Sequence, residues 1–494
     1  MTCSKKRWRW RAAANLAAVV VLVWTMPSVG SPAPPSFSQS AALLAGRIAF
    51  SSAGESGGRF GAANWTASGV VAEPLDQAAA IPATSAVQAL AEQSILIAEL
   101  GDGATAGLSL SVRDLLTGEE IYGAGSGQAL TPASTIKVLT AAAALTTLGP
   151  EAVFTTSASL SRGAGGGGTV TLVAGGDTTL APDAGDPSQV MGRAGLGDLA
   201  RAAAIELRRS GLVEVNVALD DTIFTGPSTR ADWGWSSGTT WGAPATPLAV
   251  LDGRAGPAFD GVNYVLDPAL VAAQQFAALL AQYAKDPATP LPPVSVVTTV
   301  QRAGEPARSR RIAAVDSAPL GELVGYMLRN SDNTLAEAIG RVVALARGQQ
   351  GSFAGCAAAV TASLTELGLA TAGLRVDDCS GLSHDSRVSA GMLTGTLVMA
   401  GGAESARLGD VARSLPVGGL QGTLAERFAE APGAGNIRAK TGTLTGVTSL
   451  AGMVQTSGGR QLVFAVLVNA DPPVGASGAR LAMDRFVEGL AGLD

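Results

Sequence analysis

The sequence predicts an α+β fold in which an antiparallel sheet flanked by helices is assembled from both ends of the chain, around a large insertion. Three observations carry this. Residues 108–113 and 120–123 alternate apolar and polar side chains on either side of Leu116-Thr117-Gly118, the pattern of a hairpin. Near the C-terminus, NIRAKTGTL, VTSLAGMVQT and RQLVFAVLVN read as three more antiparallel strands, separated by short turns and followed by a helix over roughly 475–491. Between the two ends, residues 152–314 change texture, with short β-like runs and many Gly and Pro, and are long enough for one or two smaller domains.

In chain order, residues 1–11 carry Lys5, Lys6, Arg7, Arg9 and Arg11, and 12–26 are apolar. A basic start, a short apolar run and the small residues Ser28-Val29-Gly30 form an export signal over 1–30. As a helix the apolar run spans about 22 Å, short of a hydrocarbon core of about 30 Å. Cleavage is therefore favoured, and an uncleaved anchor here would be the one route to a membrane. Residues 31–82, rich in Pro, Ser, Gly and Ala, read as a flexible linker. Folded structure is expected over 83–151, starting with a helix at 85–99, then the hairpin, then a buried helix in TPASTIKVLTAAAALTTLG. Within the insertion, residues 196–211 form an amphipathic helix and VEVNVALDD a strand. From 315 to 494 the helical pair PLGELVGYMLRN and NTLAEAIGRVVALARG comes first, then a helix bearing Cys356, a polar loop at 374–390, a helix to about 401 and the three strands.

Three short motifs concentrate the chemistry. Ser134 and Lys137 lie three apart at a helix start, so their side chains share a face. The positive end of the helix dipole favours an alkoxide over a hydroxyl and an amine over an ammonium. A serine beside a lysine that can lose its proton is an activated nucleophile. The chain holds 34 Lys and Arg together, and only five are lysines, at 5, 6, 137, 285 and 440. Two of the three beyond the N-terminus thus fall in motifs, where guanidinium could not act as a base. The second motif, Ser331-Asp332-Asn333, joins two helices and offers a proton-relaying hydroxyl and an amide for a substrate carbonyl. In the third, Lys440-Thr441-Gly442-Thr443 on a strand, the ammonium and hydroxyls suit a carboxylate. Gly442 leaves room for another backbone, and the strand edge could take an extended peptide as an added strand.

Other chemistries lack their residues. A Ser-His-Asp triad needs a histidine, and His384, the only one, sits in a polar loop. Zinc ligation by His and Cys is not supported, so no metal and no cofactor is expected. No phosphate-binding GxxxxGK[ST] loop occurs, and the glycines at 165–168 read as a turn. Formal charge is -6, and loss of residues 1–30 removes five basic residues and no acidic one, leaving -11. An acidic surface without a basic stripe argues against nucleic acid as a partner. Of three cysteines, Cys3 belongs to the signal, and Cys356 and Cys379, an even count in an exported chain, are expected to form a disulfide.

The three motifs in this order resemble the penicillin-recognising serine enzymes. More narrowly, SDNTLAE, DCSGLS at 378–383, SLPVGGLQGTLAERF at 414–428 and IRAKTGTLTGV at 437–447 are similar to D-alanyl-D-alanine carboxypeptidase/endopeptidases of the penicillin-binding protein 4 type, over about residues 83–494. That group has a transpeptidase/β-lactamase-like domain with a large insertion between the first and second motifs. The resemblance implies hydrolysis of D-Ala-D-Ala bonds in peptidoglycan stem peptides outside the cytoplasm, with β-lactams as inhibitors. It implies Ser134 as nucleophile, Lys137 as its base, Ser331 as proton relay to the leaving D-Ala, and Asn333 holding the acyl amide. Lys440, Thr441 and Thr443 would bind the terminal carboxylate, and the backbone N–H groups of Ser134 and Thr443 would form the oxyanion hole. Cys379 stands where many relatives carry a small non-cysteine residue, which would make the local fold partly disulfide-dependent. A serine β-lactamase of the commonest class would use a glutamate-activated water in an ExxLN stretch, absent here. A non-catalytic penicillin or wall sensor would not need an intact motif set.

Overall fold

The computed structural model describes residues 48–49, 78–96, 105–233, 241–254, 263–288, 290–402, 407–430, 432–471 and 476–494. The export segment at 1–30 and most of the linker at 31–82 lie outside them. Among the described residues no helix is long and apolar enough to cross a membrane.

After a short helix, α1 (Thr84–Ala91), come β1 (Thr105–Asp114) and β2 (Glu120–Ala124), paired antiparallel as the hairpin pattern predicts. A single 3-10 turn, Ala133–Ile136, then leads into α2 (Lys137–Leu148). The insertion follows with β3 (Val153–Arg162), β4 (Gly167–Val173), β5 (Asp177–Leu180), α3 (Leu196–Arg209), β6 (Glu214–Asp220), β7 (Leu248–Val250), α4 (Pro268–Tyr283), β8 (Ser295–Arg302) and β9 (Arg310–Asp316). The chain then returns through α5 (Leu320–Asn330), α6 (Asn333–Ala346), α7 (Phe353–Glu366) and α8 (Ala390–Gly401). It closes with β10 (Ile437–Leu444), β11 (Val447–Gln455), β12 (Gln461–Asp471) and α9 (Ala476–Ala491).

Both ends of the chain meet in one five-stranded sheet of order β10-β11-β12-β1-β2, antiparallel throughout. Its register leaves β10, the strand of the third motif, at an edge. One face packs on α1 and α9 through residues such as Phe464, Leu450 and Phe486. The other packs on α2 and α5–α8, and this larger core surrounds α2 on all sides. Four successive alanines, Ala141–Ala144, all fully buried, let neighbouring helices approach that closely. The buried Asp114 carboxylate, held low by the Arg460 guanidinium and the Thr117 amide, pins the end of β1 to the β11–β12 turn, with Nη2 to Oδ2 at 2.8 Å.

The insertion has its own core, from Ala158 through Leu207 and Phe276 to Ile312. Its sheet mixes directions. β3 pairs antiparallel with β4 and β9, whereas β4, β6 and β8 run parallel. Helix α4 carries an ordinary start signal, Asp267 capping Leu270 N at 3.1 Å with Pro268 following.

Candidate active site

Ser134 and Lys137 stand on the 3-10 turn that opens α2. A 3-10 turn has three residues per turn, so residues i and i+3 eclipse, and Lys137 Nζ comes to 3.0 Å from Ser134 Oγ. Ala133 just before them is held at φ 47°, a left-handed conformation that costs a non-glycine residue about 1 kcal/mol or more. Beneath this turn runs Gly381, itself at φ +81°, where a Cβ would fall 2.0 Å from the Ala133 carbonyl oxygen. No side chain fits at that crossing.

Lys137 is fully buried. Its Nζ donates to Asn333 Oδ1 at 2.6 Å and to the Ser380 carbonyl at 2.5 Å, besides the contact with Ser134. Two of the three partners are carbonyl oxygens, which can only accept. They hold two N–H bonds and direct the remaining valence at the one partner able to donate, the Ser134 hydroxyl. Burial pulls the Lys137 ammonium down to about 8, against the opposing pull of Asp378, Asp332 and Glu337.

The second motif is split between two helix ends. Ser331 caps α5 at φ 55°, Asp332 caps α6 by accepting from Leu335 N at 3.0 Å, and Asn333 is the first residue of α6. Asn333 thereby points Oδ1 at Lys137 and Nδ2 at the Trp241 carbonyl, 2.6 Å away. Ser331 Oγ instead accepts from Lys440 Nζ at 2.9 Å. Lys440, also fully buried, donates to the Thr441 carbonyl at 2.7 Å. Burial and then the charge of Lys137 hold it well below the ordinary lysine range.

Gly442 shows how closely β10 approaches the nucleophile. A Cβ there would lie 2.2 Å from Ser449 Oγ, 2.8 Å from the Pro132 carbonyl and 3.0 Å from Ser134 N. Thr441 and Thr443 remain at least partly accessible beside this crossing, and Thr441 Oγ1 donates to Thr423 Oγ1 at 3.0 Å. All three motifs thus converge on Ser134. His384 is exposed and takes no part through its ring; its carbonyl accepts from Thr131 and Arg387.

Cys356 and Cys379 are both buried and both lie against Gly340, close enough for a thiol–thiol hydrogen bond. The disulfide expected between them is not formed in this structure, where both are free thiols.

Several site residues lie in the family-like stretches SDNTLAE and DCSGLS but receive no role from the sequence. The Ser380 carbonyl that receives Lys137 is a backbone atom. Its loop is fixed by Glu337, one turn along α6 from Asn333, whose Oε1 accepts from Cys379 N at 2.9 Å and Ser380 N at 2.8 Å. Burial, and then the charge of Asp378, push Glu337 up to about 7. Asp378 is buried too and accepts from Trp233 Nε1 at 2.9 Å and from the amides of Gly381 and Ser383, each at 2.7 Å. Burial raises it while these donors oppose the rise.

A serine paired with a buried lysine at a helix start, against an antiparallel edge strand bearing Lys-Thr-Gly, defines a penicillin-recognising serine enzyme. Comparison with known proteins takes this one step further. The model of the D-Ala-D-Ala carboxypeptidase 3 (S13) family matches residues 92–290 and 264–490. The chain is similar to a carboxypeptidase of Mycobacterium tuberculosis, 37% identical over 84% of this chain and 86% of that one. A DacB carboxypeptidase of Mycolicibacterium smegmatis is 36% identical over 74% and 76%. Among solved structures, penicillin-binding protein 4 of Haemophilus influenzae superposes with a TM-score of 0.63, covering 82% of this chain and 98% of its own at 18% identity, a likeness of fold. The chain belongs to the D-Ala-D-Ala carboxypeptidase 3 (S13) family and is a serine-type DD-peptidase, as the motif resemblance implied.

Proposed function

We propose that Ser134 is the nucleophile and Lys137 its general base in hydrolysis of the D-Ala-D-Ala bond of peptidoglycan stem peptides. The single observation behind this is the buried Lys137 amine, 3.0 Å from Ser134 Oγ with its other two contacts on carbonyl oxygens. Lys137 takes the Ser134 proton as Oγ bonds to the carbonyl carbon, and the oxyanion is held by the N–H groups of Ser134 and Thr443. Ser331, hydrogen-bonded to Lys440, passes a proton to the departing D-Ala nitrogen as the peptide C–N bond breaks. Lys440, Thr441 and Thr443 receive the terminal carboxylate, Gly442 allows the strand to lie against Ser134, and the Asn333 side-chain amide holds the acyl amide. Water then attacks the ester carbon and frees Ser134. β-Lactams, which present a strained amide and a carboxylate in a similar layout, acylate the same serine.

The catalytic domain comprises 83–151 and 315–494 around an insertion at 152–314, a division supported by the separate core of Ala158–Ile312. The basic, then apolar segment 1–30 directs export, so the enzyme works on the wall side of the envelope. Intact-mass measurement tests the assignment: the protein should gain one penicillin, and Ser134→Ala should gain none. Stoichiometric labelling of the alanine variant would remove Ser134 from its role.

A further inference from the structure

The insertion touches the second motif through a buried acid pair. Asp252 follows β7 on a tight turn in which two successive non-glycine residues are left-handed, Leu251 at φ 46° and Asp252 at φ 56°. Such a pair is costly, about 1–3 kcal/mol for each residue, and survives only where surrounding contacts enforce it. The turn delivers the Asp252 carboxyl, almost completely buried, to the carboxyl of Asp332, within hydrogen-bonding reach. Asp252 Oδ1 accepts from Thr178 Oγ1 at 2.6 Å. Its Oδ2 is buried and meets no donor among the described residues. Asp332 spends Oδ1 on the cap of α6 and Oδ2 on Arg254 Nη2 at 3.2 Å. The other titratable groups whose charge bears on the pair are Tyr264, from the insertion, Tyr326, from α5, and the Lys137 amine at the start of α2, which interacts with Asp332.

The Arg254 guanidinium pairs with Asp332, which leaves a second buried carboxyl, Asp252, against a carboxylate and with one oxygen that meets no donor among the described residues. A single proton on Asp252 removes the repulsion and gives that oxygen a partner. We infer that Asp252 is a positioning residue of the DD-peptidase, holding a proton that it donates to Asp332 so that the insertion fixes the helix end carrying Ser331 and Asn333. Burial and the neighbouring Asp332 charge both favour the protonated acid on Asp252. The inference rests on the reading of Ser134, Lys137 and Asn333 given above, because the end of α6 that Asp332 caps is the one that aims Asn333 Oδ1 at Lys137.

The test compares Asp252→Ala with Asp252→Asn, whose amide can still accept from Thr178 and donates to Asp332 at every pH. The readout is the rate constant for acylation by a fluorescent penicillin, per labelled active site, from pH 6 to 9, beside the melting temperature. Expected are a loss of at least tenfold for Asp252→Ala, recovery of most of that loss by Asp252→Asn, and an Asn variant that never falls further behind wild type as pH rises. An Asn variant as slow as the alanine one, or one falling behind with rising pH, would mean that a carboxylate acts there, and overturns the inference. So would an alanine variant that melts lower or labels in smaller amount yet acylates at the wild-type rate per site, the signature of a purely structural joint. A wild-type protein that fails to label overturns the reading of the site itself, and this inference with it.

Discussion

Lys137→Arg isolates what the buried amine does. With its pKa lowered to about 8, Lys137 is neutral in about one molecule in ten at pH 7; at an ordinary 10.5 the fraction would be about one in three thousand. Burial thus raises the free-base population about 300-fold, equivalent to about 3 kcal/mol. Arginine keeps charge and approximate length but is never neutral, so the variant forfeits the whole general-base contribution, about 100- to 10,000-fold in acylation rate. The same reasoning gives the sign of the pH dependence. The active form is the deprotonated one, so wild-type acylation efficiency should rise about ninefold from pH 6 to 7, about fivefold from 7 to 8, and then flatten. Lys440→Arg is the matched control, because the role proposed for Lys440 is to hydrogen-bond Ser331 and receive a carboxylate, not to act as a base. It should keep measurable acylation, with the loss mainly in binding. Stopped-flow acylation with a chromogenic penicillin, alongside thermal melts, measures all of this. Equal, mild losses in the two variants, or a wild-type profile flat between pH 6 and 8, would refute Lys137 as the base.

Gly442→Ala should cost at least tenfold in acylation, because its Cβ meets two backbone atoms, Pro132 O and Ser134 N, at 2.8 and 3.0 Å and cannot be accommodated by moving a side chain alone. A variant acylating at the wild-type rate would show that the strand need not lie that close to Ser134. The paired burial of Cys356 and Cys379 against Gly340, together with export, leads to the expectation that unfolded, unreduced mature protein resists alkylation at both cysteines. Modification of both without a reductant would mean that the two remain thiols in the mature enzyme.

Much of the catalytic half was legible because its signals are local. The alternation in 108–113 and 447–456, the turn at Leu116-Thr117-Gly118 and the apolar run after Lys137 each specify an element within a few residues, and those elements formed nearly where the pattern put them. Spacing alone set Ser134 beside Lys137, since residues three apart share a face on either kind of helical turn. In the insertion the signals were weaker. The alternation of β8 and β9 and the Asp267-Pro268 start of α4 were present in the sequence but are short or embedded in Gly and Pro. The parallel pairing of β4, β6 and β8 depends on strands far apart in the chain, so nothing local encodes it.

The sequence by itself therefore determined which residues could do the chemistry: a serine with a lysine one turn on, a Ser-Asp-Asn link and a Lys-Thr-Gly-Thr strand. Only the tertiary structure decided that they share a site and how far burial shifts the proton affinities of its two lysines. The Ser380 carbonyl that orients Lys137 is a backbone group common to every residue type. Glu337 and Asp378 lie within the family-like stretches SDNTLAE and DCSGLS but receive no role there, and Asp252 lies in no motif; they become significant because folding buries the first two beside one another and near Lys137, and the third beside Asp332. A pKa is a property of surroundings: removing water from around an amine moves its proton affinity by far more than any neighbour in the chain can, and that removal happens only when distant segments close over it.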